Sequence, residues 1–102
     1  MIDNFEKMLA NGQDNALLRY SLGNEYLKAE NYQQACEHLR ACLAQDEQYS
    51  AAYNLLGKAL AAMDATREAR EVYEKGIAVA EDKGDIQAAK EMRVFLKRLA
   101  AT

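Results

Sequence analysis

Arg19-Tyr20-Ser21-Leu22-Gly23-Asn24-Glu25-Tyr26 and Tyr53-Asn54-Leu55-Leu56-Gly57-Lys58-Ala59-Leu60 decide the fold, because Leu-Gly recurs at 22–23 and 56–57, 34 residues apart. The offset continues forwards: Ala35 meets Ala69, Leu39 meets Tyr73, and Leu43-Ala44 meets Ile77-Ala78. It also runs backwards. Phe5-Glu6-Lys7-Met8-Leu9-Ala10 stands one period before Leu39-Arg40-Ala41-Cys42-Leu43-Ala44. Three copies of one apolar pattern at constant spacing mark a repeat architecture.

Within each unit the pattern is helical. Leu18, Leu22 and Tyr26 follow i, i+4 spacing, and so do Ala35, Leu39 and Leu43 with Cys42 beside them. Glu30-Asn31 marks the turn between them, with Asn31 and Gln34 in a capping-box arrangement. A second break falls near Asp64, and Lys83-Gly84-Asp85 precedes the last helix. Helices are predicted near 2–11, 15–29, 32–45, 50–63, 66–81 and 85–100.

The rest of the chain agrees. It has 102 residues, half of them hydrophobic, and no Pro or Trp, which suits one all-α domain. Formal net charge is −3, so no electrostatic case exists for nucleic acid. The charge is uneven: residues 1–51 carry eight acids and four bases, residues 52–102 eight acids and nine bases. Lys90, Arg93, Lys97 and Arg98 concentrate cations in the last helix, where the macrodipole favours them. No stretch approaches the roughly 20 apolar residues of a membrane span. Met1-Ile2-Asp3-Asn4 has neither the basic region nor the apolar core of a secretory signal. Met1 and a capping-type last helix make a whole protein the expectation.

The repeat resembles the tetratricopeptide repeat, a 34-residue helix–turn–helix with aromatic-x-x-Leu-Gly-x-x-Tyr followed by Ala-x-x-x-aromatic. Tyr53, Leu56, Gly57, Ala69 and Tyr73 carry the match in the second unit; Leu22, Gly23, Tyr26 and Ala35 carry it in the first. Arg19 stands where the family prefers an aromatic, Leu39 replaces the second aromatic, and Glu47 and Glu81 occupy the Pro positions. The resemblance implies an all-α stack of antiparallel helix pairs: a half-repeat helix at 2–11, units at 16–49 and 50–83, and a capping helix at 85–100 that has Lys90-Glu91 in place of Leu-Gly. Gly23 and Gly57 are expected to let paired helices approach closely, as is Gly76.

Chemical machinery is sparse. His38 and Cys42 lie i, i+4, but structural zinc wants four ligands and no others are in evidence; a core cysteine beside a surface histidine is expected, with no metal and no cofactor. Cys36 and Cys42 diverge by about 600° of helical rotation and cannot bridge, so a reduced, cytoplasmic protein fits. No Ser/His/Asp order or phosphate loop appears, and no enzyme activity is expected.

The resemblance further implies a concave groove lined by the first helix of each unit. Carried onto this sequence, Tyr20, Asn24 and Lys28 line it from the first unit and Asn54 and Lys58 from the second. Met92 and Phe95 extend it from the last helix. Asn, Tyr and Lys can hydrogen-bond an extended backbone or an acidic side chain, so the expected partner is another protein or peptide. Some relatives hold a chaperone's terminal carboxylate with a Lys–Asn–Asn–Lys–Arg clamp; here only Asn24 is in register, with Tyr20, Leu55, Asp85 and Ala89 at the other places. The alternative is an assembly subunit, a homodimer through the apolar arc Ile86, Ala89, Met92, Phe95, Leu96 and Leu99, which spans about 180° of the last helix.

Overall fold

A computed structural model of the protein describes residues 1–101. Six helices follow one another: α1 (Ile2–Ala10), α2 (Ala16–Lys28), α3 (Tyr32–Gln45), α4 (Ser50–Ala62), α5 (Thr66–Lys83) and α6 (Ile86–Ala100). Each agrees with its predicted range to within about two residues. No strand occurs among the described residues.

The closest partners are α2 with α3 and α4 with α5, the two helix pairs that the period delimits. Pair stacks on pair through α3 against α4 and α2 against α4. Then α6 packs on α5 and α4 in the way α4 packs on α3 and α2. The packing follows from small residues placed opposite large ones. A Cβ on Gly23 would lie 2.5 Å from Leu39 Cγ, and one on Gly57 would lie 2.3 Å from Tyr73 Cε1. Leu22, Leu39, Cys42, Tyr73 and Met92 are the largest fully buried side chains. Close approach thus brings dispersion contacts that a bulkier residue at either glycine would forfeit.

The turns repeat as faithfully as the helices. Glu30 and Asp64, one period apart, both adopt φ near 61°. This left-handed conformation costs an L-residue on the order of 1–2 kcal/mol. In both units the following amide closes the helix end, Asn31 N–H donating to Tyr26 O and Ala65 N–H to Leu60 O, each at 2.9 Å. The capping box expected at Asn31 does not form. Asn31 is the N-cap, but its Nδ2 donates to Gln34 Oε1 and its side chain caps no backbone amide. Asn31 has φ near −94° and ψ near 78°, much as Asp85 has −83° and 75°, so the backbone permits a side-chain cap; the Asn31 side chain is engaged by Gln34 instead. Asn15 and Asp85 are the side-chain caps instead, accepting from Leu18 N at 2.8 Å and Ala88 N at 3.3 Å.

Candidate functional site: the inner helix face

Repeat geometry places α2, α4 and α6 side by side as the first helices of successive units, so residues one period apart form columns across them. The first column begins with Tyr20, half-buried and stacked on Tyr49 at 5.0 Å between ring centroids. Burial raises the Tyr20 hydroxyl above the usual phenol range, so it stays a neutral donor. The side chain of Asn24, half-exposed, makes no hydrogen bond among the described residues. Lys28 is exposed and pairs with Glu25 at 3.2 Å.

On α4, Lys58 holds its ammonium 4.7 Å from the centroid of Phe95 on α6, and the Arg98 guanidinium lies 5.4 Å from the same ring. Phe95 also stacks on Tyr73 at 6.0 Å. Lys58 and Phe95 therefore meet in a cation–π contact of the kind that contributes about 0.5–1 kcal/mol at partly exposed sites. Asn54 sits deeper than the sequence implied. It is only 7% exposed; its Nδ2 donates to Glu91 Oε2 at 3.1 Å, and its Oδ1 is buried without a partner among the described residues.

Met92 departs from the groove reading. It is fully buried, its sulfur against Gly76 and beside Tyr53. The helix turns so that Ala89, Met92, Leu96 and Leu99 pack on α5 and the rest of the core, which leaves Glu91 to reach Asn54. The apolar arc offered as a dimer face is accordingly spent within the chain, except for Ile86, which is 65% exposed. Leaving Gly76 unfilled would open a cavity against Tyr53, and Met is the side chain that adapts to such a gap.

A polar cluster missed by the sequence reading lies where α1, α2 and α3 meet. Arg19, the residue standing at the family's aromatic position, donates Nε and Nη2 to the two oxygens of Asp14, each at 2.9 Å. Its Nη1 lies 3.1 Å from His38 Nδ1. Since guanidinium can only donate, Nδ1 accepts and the imidazole is neutral. Tyr26 stacks parallel on His38 at 5.4 Å and donates its hydroxyl to Glu6 of α1 at 3.0 Å. Gln45 adds a bond to Asp14 at 2.8 Å. These hydrogen bonds, Arg19's first, hold the Asp14 carboxyl down at about 2. His38 is thus buried, 8% exposed, where a surface histidine was expected; Arg19 and Tyr26 supply the polar and aromatic partners that make burial tolerable. Arg19 at an aromatic position was the one signal in the sequence.

Burial pushes the His38 imidazole below its ordinary range, with Glu6 opposing and Arg19 assisting. Above about pH 6.5 the folded and unfolded chains both hold it neutral and the stabilisation is whole. As pH falls through that value the unfolded chain takes up a proton that the folded chain resists, and stability declines until the folded value is reached. Urea unfolding at about pH 7.5 and about pH 5 should therefore show a larger loss for the wild type than for His38→Phe, which keeps the stacking and cannot titrate. Equal losses would refute a neutral His38.

No group of three or more His, Cys, Asp or Glu residues suited to a metal occurs among the described residues. Cys36 and Cys42 are free and buried, and burial pushes the Cys42 thiol up to about 11, far from a reactive thiolate. No described helix is long and apolar enough to cross a membrane.

Comparison with known proteins places this geometry. A tetratricopeptide repeat model matches residues 26–92. The chain is 52% identical over 99 residues to a TPR repeat-containing protein of Pseudomonas aeruginosa, covering 97% of this chain and 94% of that one. The solution structure of a Bordetella parapertussis protein superposes with a TM-score of 0.88 at 44% identity, covering 99% of this chain and 88% of that chain. The second TPR domain of human RPAP3, solved in complex with the HSP70 peptide SGPTIEEVD, superposes with a TM-score of 0.80 at 25% identity, covering 97% and 78% of the two chains.

Proposed function

The chain belongs to the tetratricopeptide repeat family, and from that premise we propose that it is a non-catalytic module of the cytoplasm whose inner face, across α2, α4 and α6, binds a segment of another protein. The observation that carries the reading is the row Tyr20, Asn24, Lys58 and Phe95. It sets an aromatic hydroxyl, a side-chain amide with no partner among the described residues, and an ammonium on a phenyl ring along one side of three adjacent helices. Such groups hydrogen-bond a peptide backbone or a carboxylate while the rings give flat apolar contact. Lys28 extends the row at the N-terminal side. Asn54 takes part through Glu91, its donor being already engaged there, and Met92 supports the wall from behind.

The human relative bound to an HSP70 peptide makes an extended segment a natural ligand class. This chain would take a different sequence, because four of the five clamp places are filled otherwise, Asp85 and Ala89 among them. Asp85 caps α6 and accepts from Ser50 at 2.8 Å, putting an acid where a cation would meet a carboxylate, and Ala89 is buried.

Affinity capture from native lysate tests the reading, with wild type beside Asn24→Ala/Lys58→Glu. Both sites are surface-accessible, so far-UV circular dichroism should be unchanged. The variant should retain at most about a tenth of a protein that the wild type captures, as expected for loss of about 1.4 kcal/mol or more of binding energy. Equal capture by both would move the binding site off this face.

A further inference from the structure

The two ends of the stack are complementary to each other. In each complete unit the first helix is covered by its own second helix, the most extensive contact in the chain. Two helices lack that partner. By register α1 is a second helix, since Phe5 stands one period ahead of Leu39, and no first helix covers it among the described residues. By packing α6 is a first helix, and no second helix covers it among the described residues.

What these helices leave open differs from the rest of the surface. Among the described residues the exposed large hydrophobics are Met1, Met8, Leu17, Met63, Ile86 and Val94. Only Met63 lies away from the two ends. At the N-terminal end a cleft of about 150 Å³ runs between Phe5, Met8, Leu17 and Leu18, where a preceding helix would lie. The equivalents of Phe5 and Met8 in the first unit, Leu39 and Cys42, are fully buried. At the other end Val94, one period after the buried Leu60, is 49% exposed.

Charge separates the ends as well. Residues 1–14 carry Asp3, Glu6 and Asp14 against Lys7, whereas α6 carries Lys90, Arg93, Lys97 and Arg98 against Glu91. Asp14 and Arg93 are occupied by Arg19 and Glu81, and Glu91 by Asn54 and Gln87. Asp3 and Lys7 on one end and Lys90 and Lys97 on the other have no ion-pair partner among the described residues, while Glu6 accepts from Tyr26. A weakly acidic apolar end and a basic apolar end attract, most strongly at low salt.

We propose that copies of this chain associate end to end, the outer face of α6 in one copy receiving α1 of the next and completing a composite helix pair. The occupant is a second copy because the chain itself supplies, at the right register and with the opposite charge, the helix that α6 lacks. The contact is heterologous, so it propagates rather than closing at two copies. It is also weak. Glu91 stands one period after Gly57, where the glycine lets Tyr73 approach, so the arriving Phe5 is held off and the junction stays hydrated.

Sedimentation of the 102-residue chain tests this without any other ligand. The average mass should rise at least 1.5-fold between about 10 µM and about 1 mM, and fall back when ionic strength is raised from about 0.05 M to about 0.5 M. Two blocked variants then fix the geometry: Met8→Glu/Leu17→Glu at one end and Lys90→Glu/Val94→Glu at the other. Each should be folded and monomeric alone, because one end is spoiled in every copy. Mixed in equal amounts they should form one-to-one pairs and nothing larger, joined through the two intact ends. A wild type that stays monomeric throughout overturns the proposal. So does one that stops at a dimer, or blocked variants that still associate alone or fail to pair when mixed.

Discussion

Gly76→Ala is expected to destabilise the protein by about 2–3 kcal/mol, the cost typical of overpacking a tight core. On an exposed helix surface the same change would stabilise by about 1 kcal/mol, since Ala is the better helix former. The sign reverses here because of what the methyl would meet. It would lie 2.5 Å from Met92 Sδ and 2.5 Å from Tyr53 Cβ. The sulfur ends a flexible side chain and can give way. The Tyr53 Cβ moves only with the backbone of α4, so α5 must shift away from it. Reversible urea denaturation measures the effect; about 2 kcal/mol corresponds to a fall of roughly 8–16 °C in Tm for a domain of about 100 residues. A neutral or stabilised variant would mean that α4 and α5 are not packed as closely as described.

Met92→Ala should cost more, about 2–5 kcal/mol, because the side chain is wholly removed from water and its loss leaves a cavity between α5 and α6. Met92→Leu, which conserves volume, should cost less than about 1.5 kcal/mol. The pair separates the two roles considered for this residue. A groove-lining methionine would lose ligand affinity on truncation with stability nearly intact, whereas a core methionine loses stability first. The Gly76→Ala/Met92→Ala double variant adds a further check. Removing the sulfur relieves one of the two clashes, so the combined cost should fall short of the sum of the singles. Strict additivity would show that Met92 and Gly76 do not share a contact.

Much of the architecture was legible because it is periodic. A 34-residue offset repeated in register says how many helices exist, which ones pair, and which glycines lie where helices meet; all of that depends on residues close in sequence or one period apart. Gly23 and Gly57 were readable as contact points for the same reason, whereas Gly76, with Cys42 one period before it, was readable as a glycine inside a helix that close packing would explain. Site residues were legible unevenly. Tyr20 and Asn24 lie on a helix whose neighbours on both sides are set by the repeat, and Lys58 meets Phe95 across the α4–α6 contact. The rotation of α6 was not legible. An apolar arc of about 180° allows several orientations. The choice among them was made by the pocket that Gly76 leaves for Met92, which carries Glu91 round to Asn54.

His38 shows the same limit from the other side. A single histidine amid polar neighbours reads as a surface residue when only its own helix is considered. Its burial depends on Arg19 from 19 residues earlier and on Tyr26, stacked parallel on its ring, partners that come together only after α2 and α3 have paired. At Asn31 the capping box gives way to a side-chain pair with Gln34, a choice that the spacing of the two residues leaves open.

By itself, then, the sequence determined the helices, their order, the pairings and the small residues at their crossings, because helical period and repeat register are properties of the chain alone. Tertiary structure decided which face each terminal helix turns inward, which polar groups are buried together around His38, and where acidic and basic ends are left uncovered. Those outcomes depend on the neighbours that a helix has in space, and α1 and α6 are the two helices for which the repeat supplies a neighbour on one side only.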